Sequence, residues 1–320
     1  MKNLTLLIIA LLSSILSQAQ VVETPVKLED ALLWEISGNG LRKPSYLLGV
    51  MHTVEFSFMF DSIPGIRKAL SAVEQVATER DIMGLGSDSI RRKTPAISDD
   101  YFLMPSDTTY SMLYDAEDFS FVDSVLSSGN ARYAERIPAF WQNIYSRYIV
   151  YNRIKKENCM DYFLLRLANT SSKKIYFLET VQDIVDNNKN SNMSEYEVGL
   201  KEQASSLLFI LKNADMIRNG YNLLDSIYRA QQLRRLSFEN LTKELMALNG
   251  QVTEADLNKS YLNEYKSKLI NERNDAWMLK IPILISQGPT LIAVGAMHLP
   301  GDVGLINQLR KMGYTVKSVE

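Results

Sequence analysis

Apolar residues in the 320-residue chain fall into two regimes: short unbroken runs near both ends, and helical spacing between them. Short apolar runs bounded by turn residues read as buried strands, whereas apolar steps of three and four read as one face of a helix. Ala31 to Ser37 predicts a first strand and Ser45 to Val50 a second, joined through the turn Gly38-Asn39-Gly40, so the fold should begin with an antiparallel pair. Pro64-Gly65 opens a predicted helix over Ile66 to Gln75, with Ile66, Ala69, Leu70 and Val73 on one face. A third strand is expected from Val76 to Asp81, and residues 84–98, rich in Gly, Ser, Asp and Arg, read as a loop.

From Asp99 to Ala168 the spacing is helical, with Pro105 and Pro138 as punctuation and the aromatic run Phe140 to Tyr145 as a packing segment. Asp161 stands ahead of a predicted helix Tyr162 to Ala168, and Lys174 to Glu179 reads as another short strand. Helix resumes from Glu195 to Ala247, where Leu223, Leu224, Ile227 and Tyr228 mark the core-facing stripe. Thr253-Glu254-Ala255-Asp256 reads as the cap and first turn of a long helix through Tyr265, Leu269, Trp277 and Ile281. Thr290 to Gly295 is the most strand-like run, followed by a predicted helix Val303 to Met312 and a closing strand Thr315 to Val319. Strand-rich ends around a helical middle predict an α+β (α/β) fold. One central mixed sheet would be built from both chain ends, in a single domain over 28–320 with a large, mostly helical insertion at about 99–285.

Composition narrows the class. With 46% hydrophobic residues the chain can bury a sizeable core, and a net charge of −2 with a pI near 5.9 gives no electrostatic footprint for nucleic acid or an anionic membrane. Residues 1–19 carry Lys2, the apolar run Leu4 to Leu12 and the small-residue site Ser17-Gln18-Ala19. They read as a secretory signal cleaved before Gln20, with 20–27 as an exposed lead-in, so export to the periplasm or the extracellular space is expected, with no membrane span after cleavage. The single cysteine, Cys159, cannot form an intrachain disulfide and reads as a structural thiol.

Candidate chemistry comes from a duplication. The chain has two histidines, and they end the segments Gly49-Val50-Met51-His52 and Gly295-Ala296-Met297-His298. With Met 13 and Gly 15 in 320 residues, one histidine acquires both neighbours by chance with a frequency of about 0.002. Each ends an apolar strand, the place where α/β proteins usually carry their chemistry. Glycine three residues before each histidine permits close backbone approach at a sharp turn. Glu79 and Glu179 end two further predicted strands; in a strand buried on both faces an acid must be paired or bound to a cation, the alternative for Glu79 being a solvated strand end. Arg273 lies in register with Leu269, Trp277 and Ile281 in steps of four, so its guanidinium needs an acid or a bound anion unless it snorkels to a rim. His52, His298 and Glu79 form a nitrogen and oxygen set suited to a divalent metal ion. In that reading Glu79 or Glu179 takes the proton of a water, and Arg273 orients a carboxylate or steadies developing negative charge.

These segments carry a resemblance. Leu33-Trp34-Glu35-Ile36, Pro44 to His52, Ala293 to Gly301, Gly304-Leu305-Ile306 and Gly313-Tyr314-Thr315-Val316 resemble the TraB/GumN family, whose wider circle includes the Tiki metalloproteases. Glu79, Asp161, Leu178-Glu179-Thr180 with Gln182, and Glu272-Arg273-Asn274 with Trp277 match its intermediate markers, while Val50 and Met51 stand in a first turn that in the family is often Gly-Thr-x-His. The resemblance implies a divalent-metal-dependent peptidase (manganese, cobalt or zinc) that uses the two histidines and an acidic residue on a peptide or small-molecule substrate. Two other readings stay open: a non-catalytic protein that sequesters a peptide or small ligand, and metal-free His/Glu hydrolysis resembling that of erythromycin esterase-like relatives.

Overall fold

Ser45–Val50 and Thr290–Gly295 become strands because nearly every side chain in them is apolar and buried, and a strand covered on both faces needs no alternation. The computed structural model describes residues 29–84, 99–151, 155–179, 183, 199–249 and 270–320. The expected signal at 1–19, the lead-in at 20–27, Thr180, Gln182, Glu195 and the Thr253 to Leu269 part of the long helix lie outside these residues, as does the loop from 85 to 98.

Six strands form one mixed sheet: β1 (Leu33–Ser37), β2 (Ser45–Val50), β3 (Gln75–Thr78), β4 (Lys174–Phe177), β5 (Thr290–Gly295) and β6 (Thr315–Ser318), in the order β4-β3-β5-β2-β1-β6. β4, β3, β5 and β2 run parallel; β1 is antiparallel to both β2 and β6. The expected sheet from both chain ends is therefore present, and the insertion adds an edge strand, β4, to it. The opening antiparallel pair turns through Gly38, Asn39 and Gly40, all three at positive φ, a conformation that two glycines and an asparagine adopt at low cost.

Around the sheet pack α1 (Ser57–Ser62), α2 (Ile66–Ala72), α5 (Met160–Thr170), α7 (Ala214–Arg229), α9 (Glu272–Met278), α10 (Ile281–Gln287) and α11 (Leu305–Lys311), each contributing buried apolar residues to the main core. The other α-helices among the described residues are α3 (Ala116–Gly129), α4 (Pro138–Tyr151), α6 (Leu200–Lys212) and α8 (Phe238–Asn249). α3, α4 and α6 enclose a second core in which Trp141 meets Tyr110, Tyr133, Val122, Leu126 and Leu207, so the aromatic run is packing, as its spacing predicts. Cys159 caps α5, half-buried, with its sulfur 3.8 Å from the Lys155 carbonyl oxygen. Among the described residues no helix is long and apolar enough to cross a membrane.

Several strand and helix ends fall a few residues from expectation, the third strand for example ending at Thr78 rather than Asp81, and two of the differences have identifiable reasons. The helix read as Ile66 to Gln75 stops at Ala72, because Val73 turns extended and Gln75 is the first residue of β3. The buried Gln75 amide donates to the carbonyls of Leu284 and Gly288, both at 3.1 Å, and to Thr290 Oγ1 at 2.9 Å, tying β3 to the entry of β5. The run through Trp277 to Ile281 is not one helix but α9 and α10, broken at Leu279-Lys280. Pro282 causes the break, since it has no N–H for the Met278 carbonyl and its ring would clash with it.

Gln75→Met keeps the side-chain length but removes the amide donor from the part-buried Leu284 carbonyl and one of the two donors of the Gly288 carbonyl. We expect it to lower unfolding free energy by about 1–3 kcal/mol, measured by urea denaturation, with no change in the groups at the opposite end of β3.

Candidate active site at the carboxyl ends of four parallel strands

Because β4, β3, β5 and β2 are adjacent and parallel, their carboxyl ends open on one edge of the sheet, where open α/β sheets hold their ligands. Val50 lies opposite Gly295, and Thr78 opposite both Ala293 and Phe177, so the residues just beyond these pairs share that edge. They are His52 after β2, His298 on a 3₁₀ turn after β5, Glu79 after β3 and Glu179 after β4. Four residues spread over 246 positions of sequence become neighbours through strand pairing alone.

Arg273 joins three of them. From α9 its Nη2 donates to Glu79 Oε2 at 2.6 Å, its Nε to Glu179 Oε1, and its Nη1 reaches His298 Nε2 at 3.2 Å. The guanidinium carbon sits 4.7 Å above the Trp277 ring, which packs on the His298 ring at a centroid distance of 4.4 Å. Arg80 donates from Nε to the other oxygen of Glu179. The Gly295 N–H donates to Glu79 Oε1 at 2.6 Å. Glu79 is 8% exposed and Glu179 5%, which removes the solvated strand end as an account of Glu79. Burial pushes the Glu79 carboxyl up, but Arg273, both histidines and the Gly295 amide outweigh it and hold the group at about 2. Arg273 is accordingly paired rather than snorkelling to a rim.

The two imidazoles are held alike and tuned apart. His52 Nδ1 lies 2.7 Å from Asp161 Oδ2, and the attraction of that carboxylate outweighs burial and raises the imidazole to about 9. The His52 side chain is 51% exposed, so water screens this pair while leaving its direction intact. His298 Nδ1 lies 2.8 Å from Asn274 Oδ1. The Asn274 Nδ2 donates to the His298 and Val303 carbonyls, which fixes the amide orientation and makes Nδ1 of His298 the protonated nitrogen. Nε2 of His298 is then a bare acceptor for Arg273. Burial, aided by the positive charges of Arg273 and His52 and opposed by Glu79, lowers His298 to about 3.

A cavity of about 260 Å³ has His52, Glu79, Arg273 and His298 at its polar end. The two motif glycines serve close approach: a Cβ on Gly49 would come within 3.1 Å of the Ala296 backbone, and one on Gly295 within 3.3 Å of Glu79 Oε1. Among the described residues no three of His, Cys, Asp or Glu already converge as a ligand set, because Arg273 lies between Glu79 and His298. The donor chemistry nevertheless fits a divalent ion once Arg273 releases the 3.2 Å contact and keeps its glutamates. Each imidazole is anchored at Nδ1 on an oxygen, the outer-shell arrangement that readies Nε2 as a ligand, and Glu79 supplies oxygen. With both imidazoles neutral, the three carboxylates Glu79, Glu179 and Asp161 face two guanidiniums, Arg80 and Arg273, so the cluster is one positive charge short.

Of the expected residues, His52, His298, Glu79, Glu179 and Arg273 all reach this edge. Asp161, Asn274 and Arg80 complete it and were not singled out for chemistry. Asp161 and Asn274 stood among the family markers, and their polarity at buried helical positions, 5% and 0% exposed, is the signal that identifies them.

The model of the TraB/PrgY/gumN family matches residues 32–318. No curated protein and no solved structure matches the chain.

Two measurements test the site. Arg273→Met leaves the buried Glu79 carboxylate without its cation and Glu179 with Arg80 alone, so unfolding free energy should fall by about 3–5 kcal/mol, read by denaturant titration. The His52 charge contributes stability that is full below the unfolded-state pKa near 6.5 and is lost as pH rises through about 9. Asp161→Asn should erase that alkaline loss and move the His52 ring titration, followed by nitrogen NMR, down from about 9.

Proposed function

The chain belongs to the TraB/PrgY/gumN family, and from that premise we propose that it is a hydrolase of peptide or amide bonds whose chemistry lies at the carboxyl ends of β2, β5, β3 and β4. One observation carries the reading: two imidazoles, each fixed at Nδ1 with Nε2 left for chemistry, stand beside a buried anionic carboxylate at one cavity. In this reading His52, His298 and Glu79 hold a divalent metal ion, with manganese, cobalt and zinc as the candidates. A bound ion would polarise the scissile carbonyl and lower the pKa of its water to about 7.

The chain's own groups supply the rest. Asp161 holds the His52 ring through Nδ1 and leaves Nε2 as the ligand nitrogen; with no ion bound, the same Nε2 can hold or release a proton. Asn274 keeps His298 in the tautomer whose Nε2 is an acceptor. Arg273, fixed by Glu79 and Glu179, keeps its guanidinium at the cavity, and Nη1, once released from His298, would be free to donate to an oxyanion. Export to the periplasm or the extracellular space remains part of the proposal, on the composition of residues 1–19.

A second reading has an observation of its own. Arg273 already donates to His298 Nε2, and a proton on His52 supplies the missing positive charge, so the cluster is electrically complete without a metal. Hydrolysis would then rest on His52 and Glu79 as acid and base.

Metal content after dialysis against manganese, cobalt or zinc separates the two. We expect retention near one ion per chain in the unaltered protein and loss in both His52→Ala and His298→Ala; full retention by either variant sinks the metal reading. Peptide cleavage that persists in excess chelator selects the second.

A further inference from the structure

The cavity is two-sided. Its polar end has been described; its walls, among the described residues, are apolar. Tyr221, Leu224 and Tyr228 line it from α7 at steps of three and four, one face of that helix. Val50, Ala296 and Leu236 form a fully buried back wall. Tyr228 is fixed there by its hydroxyl, which donates to the Gly49 carbonyl at 2.9 Å and reaches Met160 Sδ at 3.2 Å. Met51, Met297 and Ile270 are only partly buried where they meet the cavity. The two methionines immediately precede the two histidines, so each Gly-x-Met-His turn delivers a thioether together with its imidazole.

We propose that this wall is a side-chain subsite that takes a bulky apolar residue flanking the cleaved bond, an aliphatic or aromatic side chain, and rejects charged ones. The inference rests on reading the cavity as a peptide-cleaving site. Three features argue for it. Apart from the charged groups at the polar end, the wall offers no ionic partner among the described residues, so a Lys or Asp side chain would lose its water without replacement. Partly exposed methionine, leucine and isoleucine facing a cavity leave apolar surface in water until something covers it. Unbranched thioethers yield to side chains of different shape, so breadth among large apolar residues is expected rather than a single match.

Binding of blocked amino-acid amides (N-acetyl-glycine, -lysine, -aspartate, -leucine and -phenylalanine amides) to the full chain, measured by ligand-observed NMR, tests the subsite without requiring turnover. The leucine and phenylalanine amides should bind about tenfold or more tighter than the other three. Leu224→Lys, on the wall and away from the acid–base groups, should abolish that preference; because Leu224 also packs against the main core, Tyr221→Lys at the exposed part of the same wall is the second variant, expected to weaken the preference with a denaturation profile close to that of the unaltered chain. Equal binding of all five, preference for a charged amide, or a preference that survives Leu224→Lys overturns the proposal. A peptide library distinguishes its failure from that of the hydrolase reading. Apolar preference in binding with no cleavage under any metal removes the hydrolase and keeps the subsite, whereas cleavage beside charged residues removes the subsite and keeps the hydrolase.

Discussion

The Arg273 guanidinium is the interaction on which the candidate site depends. Two glutamates at the ends of neighbouring strands are both nearly removed from water, where a carboxylate needs a partner. One planar, permanently charged group bridges them, holding the Glu79 carboxyl well below the usual carboxylate range, and the third nitrogen of the fork reaches His298. A lysine could not span three partners in this way. α9 is placed by Trp277, which is buried and packs against both the His298 ring and the Arg273 guanidinium, so core packing and charge placement are one arrangement.

The two histidines show how one motif yields two chemistries. Strand pairing places both rings by the same route, but the groups at their backs differ by a single formal charge: a carboxylate behind His52 and a neutral amide behind His298. The Asp161 carboxylate on α5 raises His52 to about 9, whereas burial, aided by the charges of Arg273 and His52, lowers His298 to about 3. Near-identical turns thus carry rings tuned in opposite directions, one by a carboxylate at its back and the other by burial, with the Asn274 amide on α9 setting the tautomer.

Much of this was legible in the chain, and the remainder was hidden for reasons that can be named. Ser45–Val50 and Thr290–Gly295 could be read to the residue because strands buried on both faces are apolar throughout and end in turn chemistry. Gln75 was misread because a polar residue closing an apolar helical pattern looks like the solvated end of a helix; only the three acceptors waiting in the α10–β5 connection make it a buried strand residue. Pro282 was in plain view, yet the apolar stripe through Trp277 and Ile281 is satisfied equally by two short helices in line. For Arg273 the need for an acid followed from burial, but its partners, 194 and 94 residues away, could be chosen only by the sheet order. Asp161 and Asn274 carry no signal of pairing in their local sequence, since a helix face says that a polar group is buried but not what it meets.

The sheet order also dictates when the site can exist. β5 is synthesised near the end of the chain yet lies between β2 and β3, which are made early and begin only 30 residues apart, at Ser45 and Gln75. Those two early strands have no direct pairing to make with each other, so a nascent chain holding His52 and Glu79 has the residues without the geometry. Closing the gap requires contacts across more than 200 residues, the kind of loop closure that makes folding slow. The candidate site is therefore complete only once β5 has inserted between β2 and β3 with His298 at its tip.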